Sequence, residues 1–156
     1  MAADYEYFVA TPAQLAGLDL VKSPLGQVPA ERAAELPGID PTVVLLGLVE
    51  VLTTHPYDAL LGRAENELAY DGGEGGPWVT VVDQFVVDAI RGADGDPELE
   101  WADVVDQWST LVAEELEDAV GGGDVDEEAL IEITDELRRL CGSVSGDAHL
   151  YCWTVL

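Results

Sequence analysis

The chain has 156 residues, a length that predicts one domain, covering residues 1–156, with a substantial core. Its 32 acidic and 6 basic residues give a formal net charge of −26, and 48% of its residues are hydrophobic, which excludes a disordered acidic tail. This charge argues against direct binding of nucleic acid or of an anionic membrane surface. No apolar run approaches the roughly 20 residues of a membrane-spanning helix, and the N-terminus lacks the pattern of a secretion signal, so we expect a cytoplasmic protein.

The first predicted element is a β-strand. Residues 5–10, Tyr-Glu-Tyr-Phe-Val-Ala, are rich in the aromatic and β-branched side chains that favour strands. Thr11 and Pro12 follow, and proline is favoured in the first turn of a helix. We therefore expect the strand to lead into a short helix near residues 13–17.

A central helix is predicted next, over residues 43–52. Asp40 is a favourable cap, and Pro41 suits the first helical position, where its missing N–H removes no hydrogen bond. The residues that follow are apolar on every side, which is typical of a helix buried at the centre of a domain. His55 ends the helix, because a residue before proline avoids the helical conformation.

The middle of the chain allows two interpretations. Residues 67–70 indicate a short third strand, and a glycine-rich loop follows at 71–76. Residues 78–90 show a wide apolar arc at helical spacing, whereas their valines also allow a strand at 78–82. We favour one helix over 78–90, because the segment is longer than an ordinary strand.

Two acidic helices are predicted in the second half. Residues 101–120 place their apolar side chains within one arc and acidic side chains opposite. Three glycines stop this helix, and a second one, over residues 124–142, opens with acidic residues in its positive first turn. In the second helix Asp135 and Arg139 are expected to pair at i,i+4. The short connection predicts an antiparallel hairpin with both acidic faces outside.

The C-terminal residues 149–156 indicate another strand, and pairing with residues 5–9 is the simplest way to hold it in place. Together these elements predict an α+β fold. It is expected to be a mainly helical single domain, with four main helices around a small sheet formed from the N- and C-terminal strands.

Few residues offer nucleophilic chemistry. Cys141 and Cys152 show neither a disulfide framework nor metal-ligand spacing, and are predicted to be reduced, buried thiols. A nucleophilic pair of either thiol with His55 or His149 remains open. Glu115 falls inside the apolar arc of its helix, either as a carboxylate at the edge of that arc or as a partner-anchoring or catalytic acid.

No cofactor, metal site or catalytic residue is predicted. The glycine-rich loop at 71–76 lacks the Lys-Ser/Thr pair of a phosphate loop. Calcium loops that begin at Asp94 or Asp124 would carry Leu99 or Ala129 where glycine is needed. Because 32 carboxylates bring two together in almost any fold, their proximity would not identify an acid–base pair.

The acidic residues are concentrated in one stretch. Residues 94–136 hold 17 acidic residues and no basic one, whereas residues 1–93 hold 14 acidic and 4 basic residues. This concentration favours docking on a basic protein partner, with an immunity-type or toxin-neutralising inhibitor as its concrete form. The predicted partner-binding residues belong to the acidic faces of the two helices: Asp103, Asp106, Glu114, Glu117, Glu128 and Glu132. The alternative is a housekeeping domain whose acidity reflects a high-salt or GC-rich organism, and an enzyme is the third hypothesis.

Four short motifs follow one another along the chain: an aromatic start at 4–10, Gly-Ile-Asp-Pro at 38–41, Gly-Pro-Trp-Val at 76–79 and Leu-Tyr-Cys-Trp at 150–153. With them the chain resembles a family of small acidic actinobacterial proteins of unknown function. The order of elements is more weakly similar to that of the YfbM-like proteins. The resemblance implies a single domain and no particular activity.

The uncompensated charge predicts that salt stabilises the protein. Repulsion among like charges destabilises the compact state, and the Debye length falls to about 3 Å near 1 M salt. We expect Tm, followed by circular dichroism, to rise between dilute buffer and about 1 M NaCl. A Tm that stays constant or falls would show that the charges are already compensated within the fold.

Overall fold

The centre of the fold is an antiparallel β-sheet. In a computed structural model that describes residues 4–56, 59–60, 67–113 and 127–156, the sheet has five strands in the order β2-β1-β5-β4-β3. The strands are β1 (Asp4–Ala10), β2 (Ala33–Glu35), β3 (Leu68–Asp71), β4 (Trp78–Val81) and β5 (His149–Val155).

The predicted pairing of the two terminal strands is confirmed. β1 and β5 pair over their whole length, from Asp4 opposite Val155 to Ala10 opposite His149. β5 also pairs with β4, and β1 with β2, so the terminal strands lie inside the sheet rather than at its edges. The three-residue β2 and the short 3-10 helix before it, Ala30–Arg32, were not predicted, because so short a segment shows no periodicity.

The predicted α+β class is also confirmed. The described helices are α1 (Pro12–Ala16), α2 (Val43–Thr53), α3 (Gln84–Asp94), α4 (Trp101–Leu111) and α5 (Glu127–Gly142). The last four are the four main helices. Residues 114–126, which include the predicted end of one acidic helix and the start of the next, lie outside the described residues. No helix in the described ranges combines the length and the apolar character needed to cross a membrane.

Two of the predicted helix starts are observed. The Thr11 side chain accepts a hydrogen bond from the Gln14 backbone N–H, and the Gln14 side chain accepts one from Thr11, which is a complete capping box for α1. Asp40 Oδ1 accepts hydrogen bonds from the backbone N–H groups of Thr42 and Val43. Asp40 therefore binds the first N–H groups of α2, but the N-cap position belongs to Thr42 and the helix begins at Val43 rather than at the proline.

The prediction of one helix over 78–90 is wrong. β4 covers Trp78–Val81, and α3 begins only at Gln84. Val79 and Val81 lie opposite Trp153 and Tyr151 of β5, so pairing with a distant strand decides the conformation of this segment. The Asp83 side chain then accepts a hydrogen bond from Phe85 N–H and caps the helix.

Both faces of the sheet are covered. On one face Tyr7, Val9, Leu150 and Cys152 belong to the main core with the four main helices. On the other face a smaller cluster joins β1, β4 and β5 to the segment 12–32, and its buried members are Phe8, Ala10, Val28, Ala33, Val79, Tyr151 and Trp153. The indole Nε1 of Trp153 donates to the Leu20 carbonyl at 2.9 Å and holds this segment against the sheet. Burial of both faces explains why the terminal strands are apolar at successive positions.

Helix α2 is buried between the other main helices. It contacts α3 and α4, which in turn contact α5. A side chain at Gly47 would force Val112 to shift, since its Cβ would lie 2.6 Å from Cγ1 of Val112. The indole Nε1 of Trp108 donates to the Val44 carbonyl at 2.9 Å. A missing side chain and one buried hydrogen bond thus set the distance between α2 and α4.

The inner position of β5 predicts that its removal unfolds the protein. Deleting residues 150–156 removes four buried residues, Leu150, Tyr151, Cys152 and Trp153, and separates β1 from β4. At roughly 1.5–3 kcal/mol for each buried large apolar side chain, the loss approaches the typical stability of 5–15 kcal/mol. We expect no cooperative thermal transition in this variant. Deleting only Leu156, which is 62% exposed, is the control and should leave Tm nearly unchanged. A cooperative transition near the original Tm in the longer deletion would contradict the assignment.

Candidate functional site

The described acidic side chains of the predicted site lie on two neighbouring helices. Asp103 and Asp106 are exposed on α4, and Glu128 and Glu132 are exposed on α5. The two helices pack against each other. We call these four residues the acidic surface. The other two predicted residues, Glu114 and Glu117, and the ambiguous Glu115 lie outside the described residues.

The periodicity of α4 explains why its carboxylates face outwards. Val104, Val105 and Trp108 are buried in the main core, which leaves Asp103 and Asp106 on the opposite side of the helix. Leu111, predicted to belong to the apolar arc, is 46% exposed. The helix ends at that residue, and Val112, whose N–H donates to the Trp108 carbonyl, is buried instead.

Helix α5 is fixed to the core by the buried residues Leu130, Leu137 and Leu140. Thr134 is also buried, and its hydroxyl donates to backbone carbonyls of the preceding helical turn, so its hydrogen-bonding requirement is met within the helix. Ala129, predicted on the apolar side, is exposed, so the buried stripe is narrower than the sequence indicated. The acidic residues of the first turn stand at the positive end of the helix dipole.

Arg138 binds other parts of the protein. Its Nε donates to Asp94 Oδ1 at 2.7 Å, and its Nη1 lies 3.3 Å from Asp135 Oδ1. The guanidinium also stacks over the Trp101 ring at 4.7 Å from the ring centre. This one side chain therefore ties α5 to the end of α3 and the start of α4.

Arg139 is also bound within the protein. Its guanidinium donates to the backbone carbonyls of Ala30, Glu31 and Ala33 and forms an ion pair with Glu136. The predicted i,i+4 pair of Asp135 with Arg139 is wrong, since Arg138 takes the aspartate while Arg139 reaches the carbonyls next to β2. Neither arginine neutralises the acidic surface.

Three carboxylates of the acidic surface have no cationic partner within the described part of the chain. Asp103, Asp106 and Glu132 form no ion pair there. The described residues also contain no group of three His, Cys, Asp or Glu side chains that could hold a metal ion. Asp94, which would begin one of the weak calcium patterns, pairs with Arg138 instead. The acidic surface is thus a set of exposed charges on rigid helices.

The two thiols are buried, as predicted. Burial raises the pKa of both Cys141 and Cys152 from 9.0 to about 12. Cys152 points towards the helices, whereas His149 lies on the other face of the sheet beside Tyr151, so these two do not form a nucleophilic pair. His55 is exposed beyond the end of α2. A buried thiol that stays protonated at neutral pH is unsuited to nucleophilic catalysis.

One buried carboxylate was missed by the sequence analysis. Glu6 is only 6% exposed and lies on the sheet face opposite the main helices. Its Oε1 accepts a hydrogen bond from the Ser23 hydroxyl, which in turn accepts one from Leu25 N–H at 3.2 Å. The position of Glu6 as the one charged residue within the aromatic strand predicted over residues 5–10 was the sequence feature that could have indicated its burial. Through Ser23, Glu6 anchors the segment 17–29 to the sheet.

No family model, curated protein or solved structure matches this chain. The resemblance to small acidic actinobacterial proteins therefore stays a prediction.

Burial of the thiols predicts that they do not react in the folded protein. With pKa values of about 12, Cys141 and Cys152 carry almost no thiolate at neutral pH, and reagents cannot reach them. We expect negligible maleimide labelling of the native protein by mass spectrometry and labelling of both thiols in denaturant. S145C, which places a thiol on an exposed loop, is the positive control. A native thiol that reacted as fast as the introduced one would contradict the assignment of Cys141 and Cys152 as buried.

Proposed function

We propose that this chain is a non-enzymatic acidic protein that binds a basic protein partner through the acidic surface. One observation carries the proposal: Asp103, Asp106 and Glu132 are exposed and form no ion pair with any described residue, while Arg138 and Arg139 are held against the protein itself. Within the described part of the chain these two arginines are already engaged, and a basic partner would supply the opposite charge.

Rigid presentation supports this proposal. The buried faces of α4 and α5 fix the two helices against the core, so the backbone positions that carry the outward carboxylates are set without a partner. Complementary charge raises the association rate and discriminates against acidic competitors. Ile131, which is 40% exposed on α5 next to Glu132, adds an apolar contact of the kind found at the centre of interfaces.

An immunity-type inhibitor is the concrete form of the proposal. A nuclease toxin binds the phosphate backbone through basic residues, and a rigid set of carboxylates competes for the same residues. An inhibitor of this kind needs no catalytic group of its own. The buried, protonated thiols are consistent with that requirement.

Charge reversal tests the proposed function. The variant D103K/D106K/E132K changes three exposed side chains, so we expect a native circular dichroism spectrum. Binding to the basic protein recovered from source cells with the unmodified chain should weaken mainly through slower association, by about tenfold or more at physiological salt. Surface plasmon resonance at several salt concentrations measures both rate constants. The unmodified protein should show a steep decrease of association rate with salt.

A matched control separates a local surface from net charge. D4K/E35K/D147K changes the total charge by the same amount at exposed positions on β1, on β2 and in the loop before β5, away from the acidic surface and from β3. It should leave association nearly unchanged. Equal losses in both triple variants would show that only net charge matters. Recovery of no basic partner would favour the housekeeping hypothesis.

A further inference from the structure

The two edges of the sheet differ in how they are closed. At the β2 edge, Arg139 Nη2 donates to the Ala33 carbonyl at 3.2 Å, and its Nη1 donates to the carbonyls just before the strand. At the other edge, β3 pairs with β4 on one side, and no strand in the described ranges pairs with its outer side. An edge strand of this kind offers backbone donors and acceptors to another chain.

An apolar groove of about 490 Å³ lies beside β3. Ala69 and Tyr70 of β3 form one side of it. The other side comes from α1 and the segment after it, with the apolar residues Leu15, Leu18, Leu20 and Val21. Val21 is 65% exposed and Leu68, the first residue of β3, is 54% exposed. Such exposure of two large apolar side chains near one groove is typical of a binding surface.

The charges around the groove select its occupant. Glu67, Asp71 and Glu74 are exposed on and beside β3, and Asp19 lines the groove. The cation Lys22 lies 3.8 Å from Asp19 and extends into solvent. A second copy of this chain, with a net charge of −26, would bring two acidic edges together and be repelled. A basic segment would be attracted.

We propose that the outer edge of β3 binds an extended, basic segment of another protein as an additional strand. An apolar side chain of that segment enters the groove next to Val21, while lysine or arginine side chains face Asp19 and Asp71. Main-chain hydrogen bonds give such strand addition its affinity, and pockets for alternate side chains give its specificity. This site lies on the sheet, apart from the acidic surface on the helices, and does not depend on the proposed function.

The geometry of β3 limits the bound segment to a short one. The strand has four residues, and its register with β4 shifts between Leu68 and Tyr70. Such a shift interrupts the regular ladder, which discourages long, flat pairing. The exposed carboxylates on and beside β3 repel another acidic chain, so they also discourage pairing with a second copy of this protein. Both features leave a short basic strand as the occupant that fits.

A defined peptide tests the proposal. The probe is a fluorescently labelled, capped peptide of alternating lysine and valine, four of each, and fluorescence anisotropy measures its Kd at physiological salt. The decisive variant is V21E. It removes the apolar contact but makes the protein more acidic, so the groove predicts weaker binding by about tenfold, whereas simple charge attraction predicts tighter binding. I131E adds the same charge on α5 and should not weaken binding.

Two further measurements complete the test. Hydrogen exchange should slow at the backbone amides of Leu68–Asp71 when the peptide binds, because strand addition protects them. D103K/D106K/E132K should lose no more affinity for the peptide than D4K/E35K/D147K, which has the same total charge and leaves β3 unchanged. Unchanged or tighter binding by V21E, absence of protection at β3, or no binding at about 1 mM peptide would each overturn the proposal. A selective loss in D103K/D106K/E132K would assign the peptide to the acidic surface instead.

Discussion

The scarcity of cations is the constraint on which this fold depends. With 6 basic residues for 32 acidic ones, most carboxylates cannot be paired internally, and burying an unpaired charge is costly. The only carboxylate buried among the described residues is Glu6, which is hydrogen-bonded to Ser23. The interior is therefore held by apolar packing and by neutral hydrogen bonds, such as the one from Trp108 to the Val44 carbonyl.

The same constraint gives unusual weight to two arginines. Arg138 joins α5 to α3 and α4, and Arg139 joins α5 to the backbone beside β2. These contacts satisfy backbone acceptors and bring helices together, which an exposed surface ion pair would not do. Because both side chains are engaged, they leave the carboxylates of Asp103 and Asp106 exposed to solvent. The internal contacts of Arg138 and Arg139 thus stabilise the helical layer and at the same time leave its outer surface negatively charged.

Local signals in the sequence were sufficient for part of this structure. Asp40 and the apolar run after it predicted α2, and the terminal strands were evident from their composition. The segment 78–90 was predicted wrongly, because a strand and a helix follow each other without a glycine or proline between them, and the strand is set by pairing with the distant β5. For the site, periodicity placed Asp103 outside correctly. Periodicity could not show that Arg139 pairs with Glu136 rather than Asp135. The position of its guanidinium depends on backbone carbonyls more than 100 residues away in the sequence.

The two proposed surfaces would contribute different parts of a binding reaction. Exposed carboxylates increase the rate of encounter, but charges that stay solvated add little to final affinity. Affinity comes chiefly from apolar side chains and from hydrogen bonds that exclude water. On α4 and α5 the exposed large apolar side chains are Leu111 and Ile131, whereas the edge of β3 offers Val21, Leu68 and a backbone whose outer side pairs with no described strand. A partner that used both would be attracted by the helices and retained by the sheet. Loss of the helical charges would then slow its association, while loss of the groove would speed its dissociation.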